Sequence, residues 1–254
     1  QIGRMYKESR AIPEGENVLQ DVIAADANYG PAYRELGELY LQWSNFGKDQ
    51  EKAKKAIENY KKYMDLTDKS LESQLRYMQF LYYAKDFKEL QQVASTIQVP
   101  ADHQKSAVIS RLKGWSAYEN GNYPEALKSL TEFFAKEKDK SKILANDYLY
   151  LGKAQVKAGQ DSLGVMNILE ATKLDSTNAD ALSEAANALY KAKKYAQSAD
   201  IYELAAKYNP NGRGSLYNYL YIGINRFLES YYLKRDKKPL NLEGLIRADS
   251  ALSH

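Results

Sequence analysis

At 254 residues, 44% hydrophobic and 27% charged, the chain has the composition of a globular protein and not of a disordered one. Its 36 Lys and Arg against 33 Asp and Glu leave a net charge of +3, too weak a field to argue for nucleic acid or an anionic membrane as partner. With no Cys and only His103 and His254, disulfides, thiol nucleophiles, thiolate metal sites and His-rich metal clusters are excluded, so no cofactor or metal is expected. No apolar run approaches the roughly 18 residues of a membrane span, and the opening "QIGRMYKESR" lacks the pattern of a signal peptide. The scarcity of Pro, 6 in all, and the long polar-apolar periodic runs point to a chain that is nearly all helix. Tyr outnumbers Phe by 22 to 6, a bias suited to surfaces that are half wet and half packed.

In chain order, "QIGRMYKESRAIPEGENVLQDVIAADANYG" reads as a helix cut short in front and then a second one, with Gly3 and Gly15 as small positions. "AYRELGELY" begins the next pair with Tyr33, Leu36, Gly37 and Tyr40, and "KAIENYKKYMDLTDKS" closes it with Ala56 and Tyr60, after about seven extra residues around "QWSNFGKDQ". "SLESQLRYMQFLYYAKDFKELQQVASTI" carries Met78 and Leu90 where its neighbours carry small residues. "LKGWSAYENGNYPEALKSL" supplies Gly114, Gly121, Tyr123 and Ala126. The segment from Asn146 to Asn178 then superposes on the segment from Asp180 to Gly212 with a shift of 34: Leu182 under Tyr148, Ala185 under Leu151, Ala186 under Gly152, Ser198 under Gly164 and Ala205 under Ala171. "YLYIGINRF" opens a last pair with Tyr219, Ile222 and Gly223, "YYLKRDKKP" reads as an inserted loop or helix extension, and "LIRADSALSH" as the start of a second helix. Gly121-Asn122 and Gly159-Gln160 mark turns within pairs, "LDST" and "YNPNGRG" turns between them, with Asp180 and Ser215 as candidate N-caps.

This pattern resembles the tetratricopeptide repeat (TPR), whose 34-residue helix-turn-helix has small residues at positions 8 and 20 and bulky ones at 4, 7, 11 and 24. The resemblance implies an all-α fold, a right-handed α-solenoid of antiparallel helix pairs forming one TPR superhelix over residues 1–254. Seven units are expected: 1–29, 30–70, 71–106, 107–144, 145–178, 179–212 and 213–254, the first and last truncated. Small residues at 8 and 20 then let the two helices of a pair come close, which accounts for Gly37, Gly114, Gly152, Gly223 and Gly3 inside helices that Gly otherwise weakens.

In proteins similar to this family the first helices line a concave groove through positions 2, 5, 9, 12 and 13. Carried onto this sequence, those positions nominate Arg34, Glu38 and Gln42, then Gln79, Tyr82 and Tyr83, then Arg111, Trp115, Tyr118 and Glu119. Lys153, Lys157, Asn187, Tyr190 and Lys191 follow, with Tyr217, Ile224 and Phe227 in the last unit. Aromatic anchors amid donors suit a peptide; the competing reading has about half of them packing between neighbouring first helices, Trp115 foremost. The Lys and Asn clamp by which some members hold a C-terminal carboxylate is not reproduced, leaving Lys153, Lys157, Asn187 and Lys191 as a local acceptor for an anion. Leu75 and Leu149 argue against the base-reading code of the related pentatricopeptide RNA binders.

Catalytic signals are weak throughout. Gly159 and Gly164 have phosphate-loop spacing, but Val165-Met166 follow where Lys and Ser or Thr are required, and "GRGS" reads as a turn. Glu14 with Glu16 and Glu132 with Glu137 sit on polar faces, and His103 suits a capping role at a helix start. The expectation is a non-enzymatic scaffold binding a protein or peptide partner; the alternative is a binding component of a bacterial surface carbohydrate-uptake or envelope complex. No residue gives a cellular address, and the lean toward a bacterial periplasm or envelope comes from the resemblance alone. Apolar residues near both ends (Ile2, Met5 and Tyr6; Leu245, Ile246 and Leu252) suggest a piece of a longer repeat protein, or end-to-end self-association.

Overall fold

A computed structural model describes residues 12–47, 49–100, 102–210, 214–236 and 238–252. Gly3, Ile2, Met5, Tyr6 and the first two residues of "GRGS" lie outside the described residues. The side chain of Leu252 does too. Every regular element among the described residues is helical, in the helix-pair architecture of a TPR-like α-solenoid. The chain forms two compact units that divide between Asn120 and Gly121.

The first unit contains α1 (Ile12–Ala25), α2 (Gly30–Gly47), α3 (Gln50–Leu66), α4 (Leu71–Tyr83), α5 (Phe87–Thr96) and α6 (Ser106–Glu119). Side-chain caps start three of them: Asp49 accepts from the amides of Glu51 and Lys52, Ser70 from that of Ser73, and Asp86 from that of Glu89. The extra residues of the second repeat lengthen α2, which runs on through Gly47 before Asp49 begins α3. Leu36, Leu39 and Tyr40 of α2 are buried, as are Ala56 and Tyr60 of α3. A Cβ on Gly37 would stand 3.0 Å from the Ala56 carbonyl oxygen, so the two helices touch backbone to backbone there. Met78 and Leu90, the bulky exceptions, are fully buried, and side-chain volume fills the space that close approach closes in α2 and α3.

The second unit contains α7 (Tyr123–Lys136), a 3₁₀ turn (Lys140–Lys142), α8 (Ala145–Lys157), α9 (Asp161–Leu174), a second 3₁₀ turn (Ser176–Ala179), α10 (Asp180–Lys191), α11 (Tyr195–Tyr208), α12 (Ser215–Arg235) and α13 (Leu242–Leu252). Its core joins Ile168, Ala181, Leu182, Ala185 and Ala205, then Ala186, Tyr202, Ala206 and Ile222. Between α8 and α9 the approach is closer than at Gly37: a Cβ on Gly152 would meet the Gly164 carbonyl oxygen at 2.6 Å, and one on Gly164 the Gly152 carbonyl oxygen at 2.7 Å.

Gly121 (φ 78°), which follows α6 in the chain, and Gly159 (φ 77°), between α8 and α9, hold the left-handed region. The same conformation is held by Lys85 (φ 59°) between α4 and α5 and by Lys193 (φ 60°) between α10 and α11, where the sequence carried no Gly to mark it. The expected caps Asp180 and Ser215 are not caps, since each is already the first residue of its helix. Asp175 accepts from the Thr177 amide at 3.0 Å and so winds the chain into the 3₁₀ turn ahead of α10, while Gly214 precedes α12. Most of "YYLKRDKKP" extends α12 as helix through Arg235.

Candidate functional site

In the first unit the nominated residues of α4 and α6 gather into one cluster. Tyr82 lies 4.6 Å from Trp115, centroid to centroid, and packs at 5.6 Å edge-on to Tyr83 and 6.1 Å to Phe87. The Arg111 guanidinium carbon stands 5.7 Å from the centre of the Trp115 ring, one helical turn away on α6. Trp115 is buried, with 4% of its surface exposed, whereas Tyr83 is 66% exposed and Gln79 one turn earlier is also open to solvent. Trp115 thus acts as a floor that holds Tyr82, and Tyr83 beside it is open to solvent.

Arg34, Glu38 and Gln42 are half-buried along α2. Arg34 pairs with Glu35 at 2.8 Å and lies 5.8 Å from the Tyr63 ring centre of α3. Tyr60 stacks on Phe80 at 4.1 Å and on Tyr77 at 5.7 Å, and burial, then the charge of Glu38, raises its phenol well above the ordinary value. It is therefore a neutral packing group. Tyr118 is half-buried and Glu119 exposed near the end of α6.

In the second unit the cationic set is partly spoken for. Lys153 of α8 pairs with Glu184 of α10 at 2.9 Å, and the Lys157 ammonium lies 5.5 Å from the Tyr123 ring centre. Asn187 is half-buried and Lys191 exposed on α10. Tyr190 packs edge-on to Tyr195 at 5.8 Å and to Tyr221 of α12 at 5.4 Å, so it serves the contact between successive first helices. Sequence reasoning missed Tyr195, Tyr221 and Tyr232, which prolong this aromatic run, with Tyr195 stacked on Tyr232 at 5.4 Å. The signal was present in the Tyr count, but Tyr190 and Tyr221 lie 31 residues apart and Tyr195 and Tyr232 lie 37 apart, and no local pattern joins them.

The weak catalytic candidates have structural employment. Glu16 accepts from the Tyr40 hydroxyl at 2.5 Å and faces Lys52 at 3.6 Å; Glu132 pairs with Lys136 at 3.6 Å; Glu137 accepts from the Asp139 amide at 3.0 Å. His103 accepts the Lys105 amide on Nδ1 at 3.1 Å just ahead of α6. Among the described residues no group of three or more His, Cys, Asp or Glu could hold a metal ion, and no helix is long and apolar enough to cross a membrane.

What these helices define is a TPR-like fold. Among solved structures, the C-terminal part of a TPR repeat-containing protein from Cytophaga hutchinsonii is similar with a TM-score of 0.61 at 14% identity, over 98% of this chain and 91% of that one. PilW, described as a widely conserved type IV pilus biogenesis factor, gives 0.60 at 15% identity over 85% and 94%. YrrB, described as a TPR protein with an unusual peptide-binding site, gives 0.50 at 12% over 78% and 96%. No family model and no curated protein matches the chain. At such identities the likeness is one of fold.

Proposed function

We propose that the protein is a non-catalytic interaction module whose first-helix faces bind an extended peptide or a partner helix. The observation that carries this reading is the cluster of Tyr82, Tyr83, Trp115 and Arg111, in which exposed Tyr83 packs on half-buried Tyr82 and Tyr82 on buried Trp115. Aromatic and Arg anchors of this kind dominate binding energy at protein interfaces, and their prior ordering lowers the entropic cost of association. The fold supports the reading at the level of class, since one similar structure is described as peptide-binding.

The carbohydrate-uptake alternative ranks below it, because Trp115 is covered and offers no open face for a sugar to stack on. Any sugar platform would rest on Tyr83. Selection of a peptide from a random display library, followed by titration against Tyr83→Ala and Gln79→Ala, tests the proposal. Both residues are exposed, so the fold tolerates either change. A loss of tenfold or more for Tyr83→Ala, about 1.4 kcal/mol, is expected. Unchanged affinity in both variants refutes this face as the binding surface.

A further inference from the structure

The second unit shows what covers the outer face of a first helix, because that face recurs in it. On α8, Leu149 packs against the cluster that joins Ile168 of α9 to Ala181, Leu182 and Ala185 of α10, and Val156 also lies against Gly164 of α9. On α10 the equivalent residues are Ser183, which donates to Asn218 of α12 at 2.8 Å, and Tyr190, which meets Tyr221 of α12. On α10 the cover is the next first helix. The third occurrence, on α12, is Leu220 and Phe227, and these are 46% and 63% exposed.

Leu216 and Tyr231 are exposed at the two ends of the same face, with Tyr217 beside them and Ile224 half-buried at the centre. At 100° per residue these six side chains fall on one stripe of α12, opposite the face that buries Asn218, Ile222 and Arg226. A stripe of this length on a water-facing helix departs from the polar outer face that such a helix ordinarily carries.

We propose that this stripe is the interface of a homodimer, in which α12 of one copy lies antiparallel against α12 of a second. Two features choose a second copy. The stripe is self-complementary: a twofold axis beside Ile224 sets Leu216 against the partner's Tyr231 and Leu220 against the partner's Phe227, as an isologous contact requires. Its area is compatible with the role, since the exposed side chains offer roughly 500 Å² per copy, and twice that meets the roughly 1,000 Å² that a specific interface should clear, at the weak end of the range. The interface rests on α12 alone and is independent of the peptide-binding face of the first unit.

The chain contains no Cys, so single cysteines report the geometry without background. Sedimentation velocity across a micromolar-to-millimolar dilution series should show dimer for the unaltered 254-residue protein. Phe227→Glu should weaken dimerisation by roughly tenfold or more while leaving the helical circular dichroism intact. Under mild oxidation, Ile224→Cys should cross-link to itself. Leu216→Cys and Tyr231→Cys should do so only when mixed. A monomer at every concentration, a dimer indifferent to Phe227→Glu, or Leu216→Cys and Tyr231→Cys each linking to themselves overturns the proposal, the last by showing a parallel or different face. Capture of another protein's helix by a monomer would likewise overturn it in favour of a heterologous partner.

Discussion

Replacing Gly152 by Ala isolates the contact that sets the spacing of α8 and α9. The added Cβ meets the Gly164 carbonyl oxygen at 2.6 Å, Ile168 Cγ1 at 2.8 Å and the Ile168 amide nitrogen at 2.9 Å. Two of these three atoms are backbone and cannot rotate away, so relief requires the helices to part. Overpacking of a close core contact costs about 1–3 kcal/mol, and rigid neighbours put this case in the upper half. Ala at a helix interior returns about 1 kcal/mol relative to Gly. The net expectation is a loss of about 1–2 kcal/mol, a fall in Tm of roughly 2–8 °C for a chain of this size. Thermal melting by circular dichroism, with hydrogen exchange to place the weakened amides on α8 and α9, reads both the size and the site. Gly37→Ala is the internal comparison: its closest contact is 3.0 Å, a distance that a small shift relieves, and its effect should lie near zero. A Gly152→Ala protein as stable as the parent, or more so, would refute the claim that close approach is why Gly stands there.

Other perturbations test other parts of the structure. Lys193→Gly relieves a left-handed residue (φ 60°) on an exposed turn, and should raise stability by up to about 1 kcal/mol in the same melts. Arg226, which is buried on α12, bonds to Asp200 and to Glu203 at 2.9 Å, and reaches Glu229 at 3.3 Å. Arg226→Met should cost about 2–3 kcal/mol in denaturant unfolding, below the usual penalty for breaking a buried pair because Asp200 and Glu203 keep contact with water. Tyr40→Phe removes the bond to Glu16 that ties α2 to α1 and should cost about 1 kcal/mol, read as faster exchange in α1. Acid should weaken the inter-helix turns. The Ser70 amide holds the Asp68 carboxyl below its ordinary value, and the hydroxyls and amides of Ser141 and Thr177 do the same for Asp139 and Asp175. Depressed carboxyls stabilise the fold above their unfolded value near about pH 4 and lose that contribution as pH falls through the lower folded values. Changing all three to Asn should therefore flatten the acid limb of a stability profile by removing that contribution at neutral pH, with stability at the acid end little changed.

Much of the fold was legible because a solenoid writes its packing locally. Small residues at Gly37, Ala56, Gly152, Gly164, Ala186 and Ser198 recur with bulky ones at fixed offsets, and each pair needs only its neighbours to be buried. The turns at Gly121 and Gly159 were equally plain, since glycine tolerates the left-handed backbone at no cost. Lys85 and Lys193 adopt that conformation without announcing it, because the helices on either side dictate it. Asp180 and Ser215 fit the composition of a cap, yet Asp180 lost the position to a 3₁₀ turn that begins at Ser176 and Ser215 to Gly214.

The candidate site was legible only as a set of positions. From the sequence, Trp115, Tyr82, Tyr83 and Tyr190 are four aromatics at periodic places, with nothing to say which touch. The tertiary structure separated them: Trp115 is buried beneath Tyr82, Tyr190 is taken up by Tyr221, Lys153 by Glu184, and Tyr83 is left open. The period by itself determined that this chain is a stack of helix pairs, because burial within a pair depends on residues a few turns apart. Which side chains remain for a partner was decided only in three dimensions, since a first helix turns one face to its own pair and another to the next, and the angle between them appears in no short stretch of sequence.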